Sequence, residues 1–312
     1  MKIGEAEQIA LKNLDPNVPD IIICASGYEK RGRHLASSLK PGRHQIKIAL
    51  AYTGNRCLSR EENDKCFVRL GYTLHAANGD RADDVKRMLR DALLRTEAEE
   101  LSIFVDYTCM TRVWYAGIIT SLMNAPGRFR SITVYFGYSS PRFTKPSDAA
   151  PNLYMGPIDR FCQLGIPNRE TALILGLGYE RERALGLMEY VEAKETYAFY
   201  TDPALDVRFT KTVLRNNREL IARIKKAHVV KHSLTDFRAT SSLLSSLCLG
   251  LSDKYRVILA PLGVKPFSLL CLLFAARFPF FDVWRVSSGA KNVPIDRAPC
   301  GPILICKATF VA

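Results

Sequence analysis

The chain carries one stretch of pattern twice, and that duplication constrains its fold more than any single motif. Residues 20–31 read DIIICASGYEKR and residues 171–183 read TALILGLGYERER. Each is an apolar run that ends in Gly-Tyr-Glu followed by basic residues. Gly27 and Gly178 stand 151 positions apart. Further on, LSIFVDYTCMTRVWYAGIITSLM (101–123) parallels YRVILAPLGVKPFSLLCLLFAARF (255–278), and SITVYFGYSS (131–140) parallels FDVWRVSSG (281–289). Three matches in one order at a nearly constant offset specify two copies of a unit, at 18–142 and 168–290.

The unit alternates strand and helix. Continuous apolar runs such as Ile21–Ala25 suit strands covered on both faces. In the first copy, strands are predicted at Ile21–Ala25, Ile46–Tyr52, Thr73–Ala76, Leu101–Val105 and Ile132–Gly137. Helices are predicted at Arg33–Leu39, Arg60–Leu70, Ala82–Arg95 and Val113–Met123. Val85, Met88, Leu89 and Ala92 fall on one helical face. The second copy repeats the pattern with strands Leu173–Leu177, Thr196–Tyr200, His228–Lys231, Val257–Ala260 and Val283–Val286, and helices Glu182–Val191, Val207–Lys225 and Phe267–Phe278. The expected fold class is α/β: two tandem Rossmann-like three-layer units with mostly parallel sheets and right-handed crossovers. The expected division is 1–150, the first unit with a proline-rich linker over Pro141–Pro157, and 151–312, the second unit. The terminal run PILICKATFV is expected to complete a sheet edge or to pair with the N-terminal segment. The Leu-rich stretch Leu243–Leu251 reads as core.

Composition removes several classes. The chain has 312 residues, 47% hydrophobic and 24% charged, which excludes disorder, collagen and coiled coil. The apolar stretches fall short of the ~20 residues of a membrane span, and the N-terminal residues form no apolar signal core. A cytoplasmic, membrane-free protein is expected. Nine cysteines are scattered with no CxxC pair, which suits free structural thiols. The five histidines, His34, His44, His75, His228 and His232, show no HExxH spacing, so neither a metal nor another cofactor is expected. His34 stands one turn into the first loop-helix, within reach of the loop or simply on the helix surface. Lys and Arg exceed Asp and Glu by 13. Such an excess suits an anionic partner or plain solubility, and its dispersal gives no basic tail.

In open α/β sheets, ligands bind beyond the carboxyl ends of the strands. The duplicated loops lie there. In the first copy they hold Gly27, Tyr28, Glu29, Lys30, Arg31 and Arg33 after one strand, and Asp106, Thr108 and Arg112 after another. In the second they hold Gly178, Tyr179, Glu180, Arg181 and Arg183, then Gly263 and Lys265, with Ser288 after the last strand. Glycine admits a ligand to the backbone, helix N-termini present free N–H groups, and Lys or Arg adds charge. Tyrosine offers a stacking face. The competing reading of Gly-Tyr-Glu is a helix-start device, with Glu favouring the helix dipole, or a Glu–Arg pair that knits the copies together. Asp106 ends an apolar strand. With Glu29 it forms a candidate acid pair for general acid-base work, or it caps the next helix. Ser26, Thr108 and Ser288 are nucleophiles by position only, because GxSxG is absent. GxGxxG and GxxxxGK[ST] are absent as well.

The second copy resembles a CARF domain, the Rossmann-like sensor of cyclic oligoadenylates. The residues that carry the resemblance are the loop Gly178 to Arg183, the strand Val257–Ala260 entering Pro261-Leu262-Gly263-Val264-Lys265, and the strand end Val286-Ser287-Ser288-Gly289. Only Gly263 and Lys265 match that family's Thr-Gly-Gly-Thr-Lys loop. Two fused units of this kind are similar to SAVED domains, which sense cyclic nucleotides in anti-phage defence. The resemblance implies a nucleotide-type anion bound between or beside the units, a sensor role in prokaryotic defence, and a separate effector protein. Two alternatives stay open. One is a hydrolase of a phosphodiester or N-glycosidic bond, with Glu29 and Asp106 as acids and Arg31 and Arg112 gripping phosphate. The other is a nucleic-acid-binding protein that uses the basic charge. Self-association is open under each.

Overall fold

The computed structural model describes residues 1–15, 18–39, 45–54, 56–146, 151–162, 169–289 and 293–312. His44 and residues 147–150 of the linker lie outside them. Two compact units form: Met1–Arg142 with Pro294–Ala312, and Phe143–Val293.

The first unit runs β1 (Lys2–Ile3), β2 (Glu7–Ile9), β3 (Ile21–Ser26), α1 (His34–Leu39), β4 (Ile46–Tyr52), α2 (Arg60–Arg69), β5 (Thr73–Ala77), α3 (Asp83–Leu94), β6 (Glu100–Asp106), α4 (Arg112–Met123) and β7 (Ser131–Pro141). The second runs β8 (Tyr154–Pro157), β9 (Thr171–Gly176), α5 (Arg183–Val191), β10 (Glu195–Thr201), α6 (Val207–Asn216), α7 (Arg218–Arg223), β11 (Val229–His232), α8 (Phe237–Ser252), β12 (Arg256–Pro261), α9 (Lys265–Arg277) and β13 (Asp282–Ser287). The last strand, β14 (Pro299–Val311), returns to the first unit.

The sheets confirm the α/β class and explain the repeat. Across the first sheet the order is β1-β14-β7-β6-β3-β4-β5, and across the second it is β11-β10-β9-β12-β13-β8. Numbered within each unit from β3 or from β9, the five parallel strands run 3-2-1-4-5 in both. That order places a switch point between the first and fourth strands, where successive crossovers leave in opposite directions. It lies between β3 and β6 in one unit and between β9 and β12 in the other. Residues Ile21 to Ala25 are all buried, as a central strand covered on both faces requires. Every residue of α9 from Pro266 to Ala276 is buried, so this helix is apolar all round.

Four expectations are corrected here. Part of the expected linker, Tyr154–Pro157, is the edge strand β8, antiparallel to β13. The C-terminal strand belongs to the first unit, not the second. β14 pairs antiparallel with β7 from Val311↔Ser131 to Pro299↔Pro141, and its other edge takes β1 and β2. The exposed edge of β7 needs a partner, and Ile305, Cys306, Ala308 and Phe310 find burial there. The helix expected over Val207–Lys225 breaks at Asn217, whose amide donates to the carbonyls of Gly178 and Val213. The Leu-rich stretch lies on α8, and only part of it is core: Leu244 and Cys248 are buried, whereas Leu243 and Leu249 are exposed. Among the described residues, no helix is long and apolar enough to cross a membrane.

Candidate functional site

In the first unit, the loop after β3 turns inward on itself. Glu29 and Arg31 form a buried ion pair, Nε to Oε2 at 2.7 Å. Arg31 also donates to the Ser139 carbonyl at 2.8 Å, and its guanidinium lies 5.4 Å from the centre of the Tyr138 ring. Burial opposes the charge on Arg31, but Tyr138 and Glu29 outweigh it and raise its pKa above the ordinary value. Arg297 adds a longer contact to Glu29, at 3.4 Å. The Glu–Arg pair is therefore internal to one unit and does not join the copies.

Ser139, near the end of β7, ties together the loop after β3 and the loop after β6. Its N–H donates to Thr108 Oγ1, its carbonyl takes Arg31, and its hydroxyl lies 2.8 Å from His34 Nδ1. Burial lowers the His34 pKa, which favours the neutral ring. The return segment before β14 closes over the same loop. Asp296 accepts from the Lys30 N–H at 2.7 Å and from the Ser59 hydroxyl at 2.8 Å, and the Arg31 N–H donates to the Arg297 carbonyl.

The other first-unit candidates fall into place around this network. Lys30 is exposed, and Arg33 pairs with Glu62 and Asn63. Arg112 opens α4, half-buried. Tyr28 is half-buried, and burial with Glu29 nearby pushes its hydroxyl up to about 12. Asp106 is buried and accepts from the Thr108 N–H at 3.0 Å, a local turn bond. It does not cap α4. Thr111 does, through Oγ1 to the Trp114 N–H. Cys109 packs against both loop glycines, so a Cβ on Gly27 would sit 3.2 Å from its Cβ and one on Gly32 3.1 Å from its Sγ, and the half-buried Tyr52 donates to the Cys109 carbonyl.

The second unit is built differently at the same place. The loops after β9 and β12 touch through backbone. A Cβ on Gly263 would sit 2.3 Å from the Leu177 carbonyl oxygen, and one on Gly178 would sit 3.1 Å from the Leu262 carbonyl oxygen. At Gly263 only glycine permits that approach, and at Gly178 a side chain would displace Glu180 and crowd the Leu262 carbonyl. The Glu180 carboxylate folds over Gly178, Arg181 is exposed, and Arg183 donates to the buried Ser288 hydroxyl at 2.8 Å. Lys265 is the first residue of α9, whose start carries no side-chain cap. Tyr179 packs edge-on against Phe209.

Four residues escaped the sequence. Asn63 and Asn217 occupy equivalent positions 154 residues apart. Each is buried and donates to the carbonyl of its unit's loop glycine, Gly27 or Gly178. The signal was present, because an Asn falls on the helical stretch after the second strand of each copy. The third is Asp202, one residue past β10 and ion-paired with Lys231 at 3.1 Å. Ser139 lay inside a matched segment, but nothing in its neighbours marks it as a hub.

No protein-family model matches the chain, and no curated protein matches it. Among solved structures it is similar to the binary complex of leucoanthocyanidin reductase with NADPH from Vitis vinifera, at 11% identity, covering 83% of this chain and 86% of that one, with a TM-score of 0.28. It is also similar to isoflavone reductase, at 12% identity over 82% and 87% with a TM-score of 0.27. A third is AtPrR2 with NADP+ and (+)pinoresinol, at 10% identity over 89% and 91% with a TM-score of 0.27.

These structures are reductases, and the expected resemblance to CARF and SAVED proteins finds no counterpart among them and is corrected. The sensor of prokaryotic defence and the hydrolase alternative are corrected with it. The geometry agrees for the two residues of the resemblance and for one acid. Gly263 serves a backbone contact, Lys265 begins a buried helix, and Glu29 is committed to Arg31.

Proposed function

We propose that the second unit binds a dinucleotide cofactor at the switch point between β9 and β12. The observation that carries this reading is the backbone contact of the two loops at Gly178 and Gly263. It brings the main chain of both loops beside the start of α9, which has no side-chain cap and where the helix dipole favours a diphosphate. Arg181, Arg183 and Lys265 stand on the same two loops, against Glu180 and Glu182, so the rim is net cationic by one charge. In the first unit the start of α4 is instead capped by the Thr111 hydroxyl, which supports the choice of unit.

Titration of the whole chain with NADH, NADPH and FAD, read by calorimetry, tests the proposal. Saturable binding in the micromolar range is expected, about 8 kcal/mol at 1 μM. Lys265→Ala and Arg181→Ala are each expected to weaken it about tenfold, the loss of one charge-assisted contact. Absence of binding by all three dinucleotides at about 1 mM overturns it.

A further inference from the structure

We propose that Asp202, oriented by Lys231, makes the second unit select a dinucleotide whose adenosine ribose carries a free 2′-hydroxyl over one that carries a 2′-phosphate. This rests on the dinucleotide reading above and names the ligand within it. The inference starts from strand order. In a 3-2-1-4-5 sheet, a dinucleotide that crosses the switch point lays its adenosine over the ends of the first and second strands, and an acid ending the second strand takes the ribose hydroxyls. The second strand here is β10, and Asp202 is the residue that follows it.

Its position is fixed from both sides. β10 pairs with β9 as far as Phe199↔Gly176, and the Leu177 N–H extends the pairing by donating to the Phe199 carbonyl at 2.7 Å. Asp202 thus stands at the same end of the sheet as the Gly178 loop, one strand away. Its own N–H donates to the His232 carbonyl at 2.9 Å, tying it to the third strand. Lys231, on that strand, holds Oδ2 at 3.1 Å. Asp206 and Arg208, four and six residues after Asp202, are paired with each other and add no net charge. The carboxylate is a hydrogen-bond acceptor for ribose hydroxyls and repels a phosphate dianion. The first unit has no such acid: β4 ends at Tyr52, followed by Thr53 and Gly54. The feature belongs to the unit proposed to bind the cofactor and was not copied with the fold.

The test compares NADH and NADPH affinities for the full chain, for Asp202→Asn and for Lys231→Ala. The Asp202 N–H bond to His232 survives either change, and circular dichroism checks that the variants fold. The wild type is expected to bind NADH at least about tenfold tighter than NADPH. Asp202→Asn removes the repelling charge and releases Lys231 to the phosphate, so the ratio is expected to fall to about one or to invert. Lys231→Ala is expected to widen it. Equal or tighter binding of NADPH by the wild type overturns the selectivity, as does a ratio that Asp202→Asn leaves unchanged, while the cofactor reading stands. Binding of neither dinucleotide overturns both.

Discussion

Replacing Glu29 by Ala strands a charge. Arg31 stays buried, keeps the Ser139 carbonyl and the Tyr138 ring, and loses the carboxylate on Nε and Nη2. Arg297 contributes little to the balance, because its contact with Glu29 is long and it is closer to solvent. Breaking one partner of a buried pair costs about 3–5 kcal/mol, since the remaining ion is left uncompensated. A unit of roughly 160 residues unfolds with an entropy that converts each kcal/mol into about 3 °C. The first unit is therefore expected to lose roughly 10–15 °C in Tm. The two tryptophans make the assay selective: Trp114 is buried in the first unit and Trp284 lies in the second. In a Trp284→Phe background, urea and thermal unfolding followed by fluorescence report the first unit alone. The pair Glu29→Leu with Arg31→Met removes both ions and is expected to stay within about 1 kcal/mol of the parent, or above it. A single-variant loss under about 1 kcal/mol, or a double variant as unstable as the single, refutes the reasoning.

Two further outcomes follow from burial. His232 packs against Phe267 in the second unit, and burial lowers its pKa to about 4 from 6.5. The unfolded chain takes up that proton first. The stability is thus complete above pH 6.5 and is lost as pH falls from 6.5 to about 4, by about 3 kcal/mol in total. His232→Gln is expected to flatten the pH dependence of second-unit unfolding in that window, followed through Trp284. Among the cysteines, Cys162 and Cys300 are exposed while Cys24, Cys248, Cys271 and Cys306 are buried, and burial pushes Cys248 and Cys306 up to about 12. Native-state alkylation mapped by mass spectrometry is expected to label the first two and spare the other four until denaturant is added.

The alternation of apolar runs and amphipathic stretches specified the sheets because parallel strands leave continuous signals: Ile46–Tyr52 is a strand to the residue. The duplication was legible for the same reason, and both units share one strand order. What stayed hidden depends on partners distant in sequence. Glu29 reads as a candidate acid, a helix-start residue or half of a Glu–Arg pair until Arg31, itself held by the Ser139 carbonyl, is seen to engage it. Asp202 is an ordinary acid before a proline until β9 and β11 are laid on either side of β10. β8 hides among prolines because an edge strand tolerates them. The family resemblance failed because it leaned on two residues, Gly263 and Lys265, whose positions local packing already explains.

The place of β14 sets an order of events during synthesis. Ribosomes release the chain from its N-terminus, so β7 emerges long before its antiparallel neighbour, with the whole of Phe143–Val293 between them. The second unit has all its strands in hand while the first still has an open edge along Ser131–Pro141. An uncovered strand of that length is a template for the wrong partner. The inserted unit thus reaches its native sheet first, and the older-placed half of the sequence finishes last, when residues 299–311 arrive to close it.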